Sequence, residues 1–322
     1  MTIKHLVICG GGPSIFQSLG VIQQLEQQKF IEMPNIQTIY GTSAGAILGV
    51  LLCLCFDWET INMYLIKRPW HELFKIKVEN IFEAYKTKGI FDNKIIEKTF
   101  KPLFDAKDIP LDITMLDFYK LTKIELHMFS FEVNEFKTCD LSYLTHPNLP
   151  VLKAIQMTCA LPILVSPVCM EDKCYIDGGL ISNYPLNLCI ESGKIPDEIL
   201  GIKNTFHKNK DNITDESTMF DFLLNFLFKT LLSLSTIDKQ PSIANEIICN
   251  TNVLTLETLS IASKSIDKRR ELLNDGIDTA NKFLSKLKNS DEDINILDKQ
   301  ILDKNILDKD KMNLENSIQE LS

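Results

Sequence analysis

In YGTSAGAILGVLLCLCF, residues 40–56, Ser43 stands between Gly41 and Gly45 and is followed by an unbroken apolar run. Ester hydrolysis needs a nucleophile, a base to take its proton, and donors aimed at the oxygen that becomes negative. GTSAG fits the first requirement. The GxSxG spacing lets a strand turn abruptly into a helix, leaving the serine hydroxyl at the helix N-terminus, where free N–H groups and partial positive charge favour an alkoxide. The same letters also fit a tight turn into a buried helix, so the other elements have to decide.

Two further glycine signals could complete such chemistry. GGG at 10–12 follows a short apolar run, and glycines there let backbone N–H groups face an anion, whether a phosphate or an oxyanion. A dinucleotide fingerprint fits poorly, because residue 15 is Ile and the second strand ends in Tyr40 rather than an acid; a P-loop lysine is also missing. DGG at 177–179, within YIDGGLISNYPL, places Asp177 at a strand end, from which a carboxylate can reach a serine on another strand; the competing reading is a hairpin turn. A Ser, acid, His triad would need His207, in the polar stretch NTFHKNKDN. His5, His71, His127 and His146 have no such motif context and read as structural or surface residues.

The elements that must position these groups alternate. HLVIC at 5–9 reads as a buried strand, Ile15, Leu19, Ile22 and Leu25 as one face of a helix, IQTIY at 36–40 as a second strand, and the run after Ser43 as a helix apolar on every side. Two strand–glycine–helix units predict a parallel sheet covered by helices on its faces. Residues 58–120 read mostly as helix, broken near Pro69, Gly89, Pro102 and Pro110. Strands are expected at 124–133, 174–176 and 198–203, and helices at 150–158, 220–234 and 263–288. The strongly apolar 220–234 helix would pack on the core, line an acyl channel or lie on a bilayer. ILDK recurs three times at five-residue spacing between 296 and 309, a period that fits neither helix nor heptad and so marks a low-complexity tail.

Composition removes several classes of function. A net charge of −9 argues against a general nucleic-acid binder and against polybasic attachment to anionic lipid. Nine scattered cysteines, with no CxxC pair, favour free thiols in a reducing compartment over disulfides or zinc. The N-terminal apolar stretch is too short for a signal peptide, and the longest uncharged apolar run, Ala46–Phe56, is 11 residues, where a spanning helix needs about 20. The expectation is a cytoplasmic protein that can touch a membrane without crossing it.

The order GGG, then GTSAG, then DGG followed by an NxP, with Thr158, Cys159, Ala160, Leu161 and Pro162 ahead of the aspartate strand, resembles the patatin-like phospholipases. The resemblance covers roughly residues 4–205. It implies a three-layer α/β/α sandwich with a mostly parallel central sheet, within a domain over 1–288 whose C-terminal helices occupy 216–288, followed by a tail over 289–322. Carried over by motif, Ser43 would be the nucleophile and Asp177 the general base, and N–H groups of Gly10, Gly11, Gly12 and Ala44 would form the oxyanion hole. Gly41, Gly45, Gly178 and Gly179 would support the turns. The implied substrate is a phospholipid or other lipid ester at a membrane surface, with no metal or organic cofactor required. GGGPSI departs from the family loop, placing Ser14 where a basic residue is usual and Ile15 where glycine is. The alternative is therefore a weakly active or inactive lipid-binding or scaffold protein of the same fold.

Overall fold

The apolar runs beside the glycines become the centre of a sheet. Strands β1 (His5–Ile8) and β2 (Thr38–Thr42) are buried at every position and pair in parallel, as strands covered on both faces do. Helix α1 (Ile15–Gln27) joins them, burying Leu19, Ile22 and Leu25 as its periodicity requires. The computed structural model describes residues 2–75, 78–92, 94–206, 213–237, 241–252 and 254–289.

After β2 the chain enters α2 (Ala44–Cys53), then α3 (Trp58–Lys67), α4 (Val78–Thr87), a short strand β3 (Gly89–Phe91) and α5 (Lys94–Asp105). Helix α6 (Met115–Thr122) leads to β4 (Glu125–Glu132) and β5 (Lys137–Leu141). Helix α7 (Val151–Thr158) leads to β6 (Ile163–Val165), β7 (Val168–Met170) and β8 (Lys173–Asp177). The remaining elements are α8 (Leu186–Glu191), β9 (Ile199–Phe206), α9 (Met219–Ile237), β10 (Glu246–Thr251) and α10 (Leu256–Lys264). The main sheet runs β10-β9-β1-β2-β4-β8-β7, with β5 also on β4. It is parallel from β10 to β4 and antiparallel at β8, β7 and β5, which makes it the expected mostly parallel sheet with helices around it.

Three local expectations need correction. Pro102 lies inside α5 rather than breaking it. A proline cannot donate to the carbonyl four residues back, and here Arg68 supplies the missing donor, its guanidinium reaching Lys98 O at 2.8 Å. The predicted 263–288 helix is interrupted at Ser265, which is extended between α10 and a helical stretch over 266–279. DGG is no hairpin turn; the hairpin lies upstream, between β7 and β8, and Gly178–Leu180 form a 3-10 turn. The strands β3 and β6 escaped local reading because each has three residues and exists through its partner, Gly89 pairing with Ile163 and Phe91 with Val165.

Arg269 is 1% exposed, and among the described residues no carboxylate pairs with it. Its guanidinium instead donates to the carbonyls of Ile66 and Arg68 at the end of α3 and of Ala262 and Ser263 at the end of α10. Two helix C-termini thus share one cation, the end at which positive charge is favourable. Arg269→Leu is expected to destabilise by about 3–5 kcal/mol, because it strands several buried carbonyls at once. Urea denaturation measures this, with Arg269→Lys expected to recover part of the loss.

The chain divides into two compact units, Met1–Thr279 and Ala280–Ser322; the second is described only over 280–289, which is helical. The ILDK repeats lie outside the described residues. Among those described, no helix is long and apolar enough to cross a membrane.

Candidate active site

Ser43 occupies the one-residue corner between β2 and α2, with φ 53° and ψ −120°. An L-residue held there costs about 1–3 kcal/mol, so the surroundings must enforce it. They do so on both sides of the corner. The Thr42 hydroxyl donates to Ser182 O at 2.7 Å, and the Ser43 N–H donates to the Thr158 hydroxyl at 2.9 Å, which in turn donates to Phe129 O. A Cβ on Gly45 would stand 2.2 Å from Ile8 O, so only glycine lets the start of α2 cross β1 this closely. The Ser43 side chain does not cap its own helix, which leaves the hydroxyl available to another partner.

The side chain beside it on the cavity wall is Asp177, whose carboxylate takes a hydrogen bond from the Gly179 N–H at 2.7 Å. Strand β8 delivers it, with Asp177 opposite Ser130 of β4 and the Ser130 hydroxyl donating to Ile176 O at 2.7 Å. Asp177 is 4% exposed. Burial pushes its carboxyl up to about 6, against the opposing pull of the neighbouring Ser43 hydroxyl and the Gly179 N–H. A carboxylate in that range is ionised at neutral pH yet more basic than an exposed one, which suits proton abstraction.

The glycine loop sits beside them, with one correction to the expected donor set. The Gly10 N–H is committed to Asn183 O at 3.0 Å and so cannot face an oxyanion. The Gly10 carbonyl is pinned as well, accepting from Asn204 Nδ2 at 3.1 Å and Asn183 Nδ2 at 3.3 Å. Gly12 has φ 56°, a left-handed conformation that glycine adopts without penalty. Among the described residues the N–H groups of Gly11, Gly12 and Ala44 carry no protein hydrogen bond, which leaves them free to face a ligand oxygen. Pro13 is the second residue of a 3-10 turn, Gly12–Ser14, at a position where a missing N–H costs nothing. Ser14, the replacement for a basic residue, is buried and accepts from Asn204 Nδ2 at 2.6 Å. The loop is therefore braced by neutral amides.

Thr158, Asn183 and Asn204 are the positioning residues that motif reading did not assign. Thr158 and Asn183 lay within quoted motifs and carried a signal; Asn204 carried none beyond being a polar residue in an apolar strand. Thr158→Val keeps the side-chain shape but leaves the Ser43 N–H without its acceptor. It is expected to lower kcat roughly 10- to 100-fold with KM little changed, through nucleophile misplacement. Steady-state kinetics on a soluble ester separates the two constants.

From Ser43 and Asp177 a cavity of about 210 Å³ extends among Ile47, Leu51, Phe100 and Leu254. Its lining is almost wholly apolar, including Trp70, whose indole N–H donates to Leu65 O. The Cys159 thiol also borders it; burial and the nearby Asp177 charge raise its pKa, so it stays protonated. His207, the candidate third member of a triad, lies outside the described residues. His127 is far from such a role: it is clamped between Asp140 and Glu125, each at 2.8 Å, and stacks on Tyr40.

The family model described as Patatin-like phospholipase matches residues 6–190, more than half of the chain. Among curated proteins, the "Probable lipid hydrolase 463L" of Invertebrate iridescent virus 6 is 26% identical over 217 residues, covering 65% of this chain and 73% of that one. An uncharacterized protein of Acanthamoeba polyphaga mimivirus is 26% identical over 212 residues, covering 66% and 69% respectively. Among solved structures, VipD from Legionella pneumophila shares the fold, with a TM-score of 0.55 at 18% identity, over 89% of this chain and 67% of that one.

Proposed function

The chain belongs to the patatin-like phospholipase family, and on that footing we propose that it is a lipid acyl hydrolase of the phospholipase A type, working through a Ser43–Asp177 dyad. The observation that carries this is the placement of the strained Ser43 and the buried Asp177 together at one apolar cavity. As Ser43 attacks the ester carbonyl, Asp177 takes its proton, and the N–H groups of Gly11, Gly12 and Ala44 receive the charge that develops on the carbonyl oxygen. The alcohol leaves with the proton from Asp177. Water then attacks the acyl-enzyme, giving its proton to the same carboxylate, which returns it to the Ser43 oxygen as the bond to the acyl carbon breaks and the fatty acid departs.

The cavity suits an acyl chain because its wall offers almost nothing for a polar group to bond. The name of the viral relative, a probable lipid hydrolase, points the same way. Contact with a lipid surface is supported by exposed aromatics near the cavity: Phe82 and Tyr85 on α4, which runs into β3, and Phe222 and Phe226 on α9, which packs against β6. Phe91 of β3 and Val165 of β6 line the cavity itself.

The test is fatty-acid release from mixed phospholipid vesicles with EDTA present, beside labelling by a serine-directed fluorophosphonate. Release and labelling that survive His207→Ala and vanish in Ser43→Ala support the dyad. Release lost in His207→Ala would favour a triad instead. A folded protein that neither labels nor releases fatty acid would be the lipid-binding or scaffold alternative, with the GGGPSI loop as its origin.

A further inference from the structure

Two thiols away from the candidate active site stand in an arrangement that a chain of free cysteines has no need of. Cys169 on β7 and Cys174 on β8 are directly opposite in an antiparallel register, with their sulfurs 3.1 Å apart. Both are reduced in the structure. The backbone of Cys174 is turned away from β7: its N–H donates to the Glu132 carboxylate at 3.0 Å and its carbonyl accepts from the Val133 N–H at 2.8 Å. The pair therefore occupies a non-hydrogen-bonded cross-strand position, where the two Cα atoms approach to about 4.5 Å. That lies within the span a disulfide bridges, so the bond can form with little backbone movement.

We propose that Cys169 and Cys174 form a peroxide-oxidisable dithiol site, a reversible covalent lock on the hairpin that carries Asp177. The two thiols differ in a way that orders the steps. Cys169 is exposed on the edge strand of the sheet, whereas Cys174 is half-buried, and burial together with the neighbouring Cys169 raises its pKa to about 11. Hydrogen peroxide meets the exposed sulfur first. Its thiolate attacks one peroxide oxygen, the O–O bond breaks, and water and a sulfenic acid result. The Cys174 sulfur, already in contact, then attacks the Cys169 sulfur; the S–O bond breaks, the S–S bond forms and a second water leaves with the Cys174 proton. In total, two thiols and one hydrogen peroxide give one disulfide and two waters. A reducing thiol pool restores the pair by exchange, which fits the free thiols expected from the scattered cysteines.

The lock bears on the site because of where β8 ends. Cys174 precedes Asp177 on the same strand, and the buried Glu132 carboxylate, which also accepts from the N–H groups of Asn134 and Glu135, ties Cys174 to the end of β4. Closing the disulfide ties β7 to that assembly. The proposal concerns the thiol chemistry and the hairpin, and stands whether or not the protein hydrolyses lipids.

The experiment treats the native full-length protein with a small excess of hydrogen peroxide, blocks remaining thiols with iodoacetamide, and maps tryptic peptides without reduction. Trypsin cuts after Lys173, between the two cysteines, so a disulfide joins peptides that otherwise separate. The expected result is a Cys169–Cys174 linked pair assigned by fragment spectra, with two hydrogens lost in intact mass. Both changes should reverse with dithiothreitol and be absent from Cys169→Ser and Cys174→Ser. Wild type should also gain a few degrees in Tm on oxidation, a shift that Cys169→Ser should lack. Exposed Cys55 is the internal reference. If Cys55 is oxidised while Cys169 and Cys174 still alkylate, or if Cys169 proceeds to sulfinic acid without a cross-link, the proposal is overturned.

Discussion

Replacing Ser43 with alanine is expected to lower kcat/KM for ester hydrolysis by about 10⁴- to 10⁶-fold, the range seen when a serine nucleophile is removed. The residual rate would come from the donors of Gly11, Gly12 and Ala44 and from the binding cavity, which the substitution leaves in place. The fold should be nearly indifferent. The corner conformation is held by Thr158 and by the fit of Gly45 over β1, neither of which needs the hydroxyl. Alanine at φ 53° is strained much as serine is, so a stability change within about 1 kcal/mol is expected. Ser43→Gly, equally inactive, should be more stable than Ser43→Ala, because glycine carries no penalty in this conformation. Single-turnover kinetics and thermal melts on the three proteins measure both effects; equal stability of the glycine and alanine variants would show that the corner is not strained.

Asp177→Asn separates activity from stability in the opposite direction. Activity should fall by about 10³- to 10⁵-fold, since an amide cannot take the Ser43 proton. Stability should rise. The carboxyl titrates at about 6 in the folded protein against 3.8 when unperturbed, so between those values the native state holds a proton that the unfolded chain has released. The stabilisation linked to that proton is complete below about 3.8 and is lost as pH rises through about 6. At neutral pH the loss amounts to about 3 kcal/mol, two units at 1.36 kcal/mol each. Asparagine never ionises and escapes it. The variant should therefore melt higher than wild type at pH 8, and the two should converge near pH 4. The same titration governs catalysis: wild-type kcat/KM should fall about tenfold per pH unit below 6, because only the ionised carboxylate is a base. A flat profile from pH 4 to 8 would remove Asp177 from that role.

On the proposed function, such a charged group is tolerated because its surroundings serve chemistry. Burial that raises the Asp177 pKa also dries the cavity, where N–H donors act more strongly on a developing oxyanion than they would in water. The expected cost is a site less stable than its Asp177→Asn variant.

The chemistry-bearing motifs and the elements around them were legible in the sequence because each is local. An apolar run ended by glycines makes β1 and β2, GxSxG makes the corner at Ser43, and Asp177 ends a strand; none of these needs a distant partner to be recognised. The mostly parallel sheet followed from two such units in succession. Only the tertiary structure decided which backbone groups face the site. Gly10 was legible as a flexible loop residue, but its N–H is taken by Asn183, 173 positions away. The neutral brace on Ser14 comes from Asn204, and the helix-terminal cation is Arg269, 203 positions from the Ile66 carbonyl it satisfies. Pairing of Cys169 with Cys174 was equally invisible, since a spacing of five becomes a contact only when the hairpin register is known. The physical reason is common to all of these. A backbone conformation is set by neighbours in the chain, whereas hydrogen-bond partners and buried charge are set by which strands and helices come to lie side by side.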